Sequence, residues 1–337
     1  MTAATTPAAV RRPHLVRWVL RLHRPELLVW AGLAVLGAGL LLWLGGPLTD
    51  AAADGWRQYK ACHWSEKCAY DQDAILRYKD VYNYLTFSLA ALPLLVAAWA
   101  GAALTGRELE SGTAQLAWAQ GVTPARWLAT RLALPAAAVT AGTGLLAFLH
   151  DRAWVAARGR VDTVKSQWDV WTFQTNGPTI VALALAALTV GALAGLVLRR
   201  ALPALATAVV AVAGLWGLAQ WVMPYLWPTV TRVTGFGHAF GDSSGGLGVD
   251  QGLVTRTGGH IPEPRCHANT WEGCRRLFEK RGGVGFYYTY HPDTHYWPLQ
   301  LTTSALVLAL AGLFTVAAFL VLRRLTGALR LAPEAAA

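Results

Sequence analysis

Charge is scarce in this chain: Asp, Glu, Lys and Arg make up 14% of its 337 residues, while 54% are hydrophobic. Soluble domains carry about 25% charged residues, so that class is excluded and a polytopic membrane protein is the default. No GxxxxGK[ST] loop is present to cradle nucleotide phosphates. The long apolar runs contain no Asp or Glu. Proton- and ion-driven carriers use such groups as relays, so the chain lacks a visible means of powering transport alone. HExxH is missing too, which removes one legible metalloenzyme signature. No basic patch with base-stacking aromatics lies outside the apolar runs, so no nucleic-acid partner is expected.

What the chain has is apolar runs of membrane length. Spanning the hydrocarbon takes roughly 20 apolar residues in a helix. Six such runs occur, near 27–46, 85–105, 127–149, 178–198, 201–223 and 299–322. Only Arg131 interrupts them, near one end, where it is expected to snorkel. "DAAADG" after the first run offers a signal-peptidase-like stretch at Ala51 to Ala53, but the apolar run exceeds a secretory h-region of roughly 7 to 15 residues. A retained span is the better reading. The fold class is therefore an all-α polytopic membrane protein with six transmembrane helices.

Arg11, Arg12, Arg17, Arg21 and Arg24 precede the first run with no acid before Glu26, which predicts a cytoplasmic N-terminus. Six spans then put 106–126, Arg199 with Arg200, and the C-terminal tail on the same side. Those inner segments hold 13 basic residues against 4 acids, and the outer loops 16 against 15. The net charge of +10 thus reads as topology. In "HLVRWVLRLHRPE", Arg17, Arg21 and Arg24 recur at helical spacing, which predicts an amphipathic interfacial helix before the first span. The chain divides into a tail and interfacial helix (1–26), five spans (27–223), an outer segment (224–298), and the last span with its tail (299–337).

All four cysteines fall in outer loops, as two close pairs. Cys62 with Cys68 and Cys266 with Cys274 are expected to be disulfides. A metal reading is available through His63, His267, His291 and His295. Pro292 disfavours a regular helix presenting the last two, and disulfides are the preferred assignment.

"GRELESGTAQLAWAQG", residues 106–121, is the largest inner loop. Thr105 followed by Glu108 matches a capping box, and Glu108 and Glu110 suit the positive end of a helix dipole. Thr123 before Pro124 predicts the start of the third span. Between them a short helix is expected, with Leu109, Gly112 and Leu116 on one face suited to docking. A plain linker bent at Gly112 is the alternative. "GALAG", Gly191 to Gly195, is a small face permitting close helix approach.

The stretch 102–134, containing "GRELESGTAQLAWAQGVTPARWLATRLAL", resembles the inner loop of ABC-transporter permeases of the type-two exporter family. Six spans, a basic interfacial helix and a long outer segment before the last span resemble it too. "ILRYKDVYNYLTF" and "HYWPLQL" are similar to actinobacterial members. The resemblance implies a multi-pass permease of a bacterial plasma membrane. Its energy would come from a separate cytoplasmic ABC ATPase, with ATP and Mg on that partner and no cofactor in this chain. It implies that Thr105, Arg107, Glu108, Glu110, Ser111, Gly112, Thr113 and Arg126 lie in or beside the element the ATPase grips. It also implies pairing with a second permease copy or a related subunit. Residues 224–298 are longer and more polar than the compact re-entrant helices of many relatives.

Polar side chains in the spans are few, with Ser88, Thr140, Thr143, Thr207, Gln220 and Thr302 among them. This suits a hydrophobic or amphipathic cargo more than an ion. "VGFYYTYHPDTHYWPLQL" gathers Phe286, Tyr287, Tyr288, Tyr290, Tyr296 and Trp297 before the last span. An interfacial aromatic belt is the first reading. An outer gate of Tyr288, Tyr290, His291, His295, Tyr296 and Trp297 is the second. Two other functions compete: an accessory sensor or immunity-type membrane protein, and an outer-face enzyme using His238, His260, His267, His291 or His295. "GDSSGGLG", residues 241–248, reads as a flexible loop.

Overall fold

The computed structural model describes residues 24–62, 68–237, 245–268 and 270–331. Most of the expected interfacial helix, up to His23, lies outside the described residues, as do His63 and His238. Among the described residues six helices are long and apolar enough to cross a membrane, and all but the fourth run past their apolar runs: Arg24–Ala61, Gln72–Glu110, Pro124–Ala157, Pro178–Leu198, Ala201–Tyr225 and Asp293–Gly327. The second, at 39 residues, is about 58 Å long at a rise of 1.5 Å per residue. The hydrocarbon is about 30 Å thick, so polar turns extend well outside it.

Span 1 comprises α1 (Arg24–Trp43), a π-helical turn (Leu44–Leu48) and α2 (Thr49–Ala61). Gly46 leaves helical geometry beside Pro47, and Thr49 Oγ1 donates 2.6 Å to the Leu44 carbonyl to occupy an acceptor in the kink. Ala52 and Ala53 are buried in α2, consistent with a retained span. Span 2 is α3 (Gln72–Trp99), which passes through a π-helical stretch (Ala100–Gly106) into α4 (Arg107–Glu110). After α5 (Thr113–Ala119), span 3 is α6 (Pro124–Ala157). A short buried helix, α7 (Val170–Thr175), leads into span 4, α8 (Pro178–Leu198); span 5 is α9 (Ala201–Val222).

Span 4 is the centre of the bundle. It is apolar on every side, and Leu183, Ala184, Ala187, Leu188, Ala192 and Leu196 are all buried against spans 2, 3, 5 and 6. Its small face closes on span 2: a Cβ on Gly191 would sit 2.6 Å from the Ala100 Cβ, and one on Gly195 would collide with Thr105.

The outer segment is not loop. It folds into β1 (Val230–Gly235), β2 (Leu247–Thr255), β3 (His260–Ile261), α10 (Trp271–Lys280) and β4 (Gly283–His291), before span 6, α11 (Tyr296–Leu331). The strands form an antiparallel sheet in the order β1-β4-β2-β3, with Val230 opposite Tyr290 and Leu253 opposite Phe286. Phe286 to Tyr290 of the aromatic cluster thus lie on a strand, ahead of the helix end of span 6. Their β-branched and aromatic company is strand-forming chemistry that the proximity of a span obscured. The expected helical membrane fold stands, with this sheet added to it. Both disulfides pair as expected, with Cα atoms 5.6 Å apart for Cys62–Cys68 and 5.5 Å for Cys266–Cys274.

Candidate coupling site

Residues 105–126 form a compact unit at one end of spans 2, 3 and 5. Thr105 is not a helix cap. The helix runs through it unbroken, and its buried hydroxyl donates 3.1 Å to the Ala192 carbonyl of span 4. The capping-box expectation fails because Glu108 has a stronger partner. It pairs with Arg131 of span 3, whose side chain is 2% exposed against 16% for Glu108. Arg131 therefore does not snorkel. A guanidinium this deep needs a carboxylate, and the indole of Trp127 lies 5.8 Å from it.

Glu110, though exposed, is bonded within the chain as well. Its Oε2 accepts 2.9 Å from the Ala201 amide, one of the orphan donors that open the helix of span 5. The two carboxylates thus tie α4 to spans 3 and 5. The turn that follows is built on Gly112, at φ +72°, a left-handed conformation that splits the segment into α4 and α5. Ser111 and Thr113 share a 3.0 Å hydroxyl contact, and Thr113 Oγ1 donates 3.3 Å to the Glu108 carbonyl.

The single docking face expected for Leu109, Gly112 and Leu116 is not formed. Leu109 packs inward with Ala114, Ala117 and Trp118, and Trp118 meets Trp127 edge-on at 5.7 Å. Leu116 points away, 60% exposed, and Arg107, Thr113, Gln115 and Arg126 of the same segment are exposed as well. Thr123 caps span 3 as expected, its hydroxyl accepting 3.4 Å from the Arg126 amide.

At the opposite end, the outer-gate candidates separate. Tyr290, Tyr296 and His291 are buried; Trp297 is 55% exposed. Tyr296 packs on Trp168 and Phe173, whereas Tyr288 stacks on Tyr290 at 5.2 Å in the sheet. His291 and His295 do meet despite Pro292, with Nδ1 atoms 3.3 Å apart. The Pro224 carbonyl, 2.8 Å from His291 Nε2, can only accept, so that nitrogen carries the proton. Burial pushes the His291 imidazole below its usual range, and neighbouring His295 adds to the shift. Among the described residues no three His, Cys, Asp or Glu gather as a metal site. His260 stacks on Tyr287 and His267 is exposed, so of the described histidines proposed for an enzyme His291 and His295 are the pair seen to meet. Gly241-Asp242-Ser243-Ser244-Gly245 has the GxSxG spacing, which the loop reading passed over. Its described end leads into β2, whereas a nucleophile elbow leads into a helix.

A buried polar belt was missed by sequence reasoning. His150 Nε2 lies 2.8 Å from Thr86 Oγ1, and its Nδ1 meets Asn176. Tyr82 and Thr172 hydroxyls are 3.0 Å apart, and Thr179 bonds both Gln300 and Ser304. The signal available was "TFQTNGP", a polar run directly ahead of an apolar span. By contrast Ser88, Thr140 and Thr207 are exposed on the bundle surface and Thr143 bonds its own helix, so these do not gather into a lined path within one chain.

No curated protein and no solved structure matches the chain. The profile of one family, described as ABC-2 membrane transporter related, matches residues 31–224, which include spans 2 to 4 and the whole unit built around Glu108 and Arg131. With more than half of the 337 residues matched and six membrane-length helices in place, the chain belongs to the ABC-2 membrane transporter related family and is a multi-pass membrane protein of the ABC-2 permease type.

Proposed function

We propose that this chain is the membrane-spanning subunit of an ATP-driven exporter in a bacterial plasma membrane, and that residues 105–126 receive the thrust of a separate cytoplasmic ATPase. The observation that carries this is the wiring of one short segment. Glu108 and Glu110 are bonded to spans 3 and 5, while Leu116, Arg107 and Arg126 stay open to a partner. An exposed leucine in a segment whose polar and basic side chains are also exposed has the make-up of a docking hot spot. A push on α5 passes to α4 across the Gly112 turn, where Thr113 bonds the Glu108 carbonyl, and from α4 reaches two spans.

The cargo in this reading is hydrophobic or amphipathic, and two permease subunits complete the path. Tyr296 and His291, packed between sheet and spans, are the parts of the proposed outer gate placed to move with span 6. The test is reconstitution with an ATPase encoded beside this gene. The subunit should stimulate ATP hydrolysis, and Leu116→Asp should abolish both stimulation and co-purification. Unchanged hydrolysis with and without the permease would favour an accessory sensor instead.

A further inference from the structure

Between span 1 and span 2, floored by span 3, runs a crevice of about 420 Å³. It lies toward the Arg24 end of span 1, on the side of the coupling unit. Leu92, Val96 and Val139 form its buried floor, and Leu33 and Leu95 its exposed rims at 48% and 59%. Of its lining side chains only Glu26, at the terminal mouth, is ionisable. Trp30, itself part of the lining, fastens span 1 to span 3: its Nε1 donates 3.0 Å to the Ala138 carbonyl, and its ring lies where a Cβ on Gly142 would stand, 2.7 Å away. The Arg24–Trp43 part of span 1 is thus fastened to span 3 and makes little contact with span 2, which packs against the Leu44–Ala61 part instead.

We infer that this crevice is a binding site for one hydrocarbon tail of a membrane phospholipid from the leaflet bordering the coupling unit. The wall chemistry and the depth select that occupant. The crevice opens sideways, inside the hydrocarbon span of three transmembrane helices, so lipid tails are what it meets. A polar occupant would give up its water and find almost no hydrogen-bond partner there. A helix is about 10–12 Å across with its side chains, so about one turn would already fill the space. The chain's own N-terminal segment could therefore insert single side chains but not a helical stretch. An extended, flexible chain fits, and the volume lies within the roughly 300–1,000 Å³ of ordinary ligand sites. The site is separate from the proposed coupling and gate residues, and stands whether or not the chain exports anything.

The test uses the full chain in nanodiscs of phosphatidylethanolamine and phosphatidylglycerol doped with a phospholipid carrying a diazirine in its acyl tail, followed by peptide mapping. Labelling of the 92–99 and 134–139 segments should exceed labelling around Leu313, a lipid-facing control that is 64% exposed, by about tenfold. Leu95→Trp on span 2 and Leu134→Trp on span 3 fill the crevice from two different helices, and each should remove the excess while leaving Leu313 unchanged; if one fails to fold, the other decides. Labelling equal to that at Leu313 and insensitive to both tryptophans would overturn the site. So would labelling that appears only after residues 1–22 are deleted, which would give the crevice to the chain's own N-terminal segment.

Discussion

Replacing Arg131 by alanine should destabilise the permease severely, and the structure sets the scale. The pair with Glu108 is almost wholly removed from water, with side-chain exposures of 2% and 16%. No discount for solvent screening applies, and removing one partner of such a pair costs about 3–5 kcal/mol because the other charge is left buried alone. Glu108→Ala should cost a similar amount, softened by the Trp127 ring beside the guanidinium. Glu110→Ala loses a single bond to an exposed helix start and should cost only about 1 kcal/mol. A double-mutant cycle over Glu108→Leu and Arg131→Met, read as thermal unfolding in detergent, should therefore be strongly non-additive. The double variant should approach wild type while each single falls well below it, since an apolar pair can replace a buried ion pair at little cost. This also revises what the sequence suggests for Glu108→Ala with Glu110→Ala. If the carboxylates served only a partner, that variant would reach the membrane at normal levels; bonded internally, they should lower its level. Additive single effects, each below about 0.5 kcal/mol, would refute the internal pairing.

Leu116→Asp, at a 60% exposed position, should leave unfolding within about 0.5 kcal/mol of wild type while ATPase co-purification is lost; a comparable loss of stability would return Leu116 to the core. Gly195→Ala forces a Cβ into Thr105 and should cost about 1–3 kcal/mol as overpacking, whereas Thr105→Val removes one hydroxyl bond and should cost about 1 kcal/mol. The folded-state pKa of His291 lies below its ordinary value of 6.5, so its contribution is full above about pH 6.5 and is lost as pH falls toward the folded pKa. The protection of β4 amides, taken relative to the intrinsic exchange rate at each pH, should accordingly fall below that pH and lose this dependence in His291→Gln. Reducing Cys266–Cys274, which closes a loop with sequence separation 8, should loosen α10 first, seen as faster exchange in 271–280 while the spans stay protected.

What the sequence determined alone follows from one-dimensional physics. Hydrocarbon thickness demands apolar runs of a given length, so all six spans and their order were legible. Cysteines six and eight residues apart in the outer segments pointed to local pairs, which is how they join. The start of span 3 was legible at Thr123 and Pro124, because a cap acts within one turn. Tertiary structure decided everything that depends on a distant partner. Thr105 and Glu108 have the spacing of a capping box, yet each is claimed from outside its own turn, by Ala192 and Arg131. A buried guanidinium outbids a helix end for a carboxylate, and nothing local announces where that guanidinium will be. The Ala201 amide needs an acceptor only because span 5 begins beside Glu110, and His150 becomes part of a polar belt only where α7 folds back against it. The outer strands were hidden for a related reason: a strand is recognised by what pairs with it, and the partners of Tyr290 at Val230 and Gly248 lie tens of residues away.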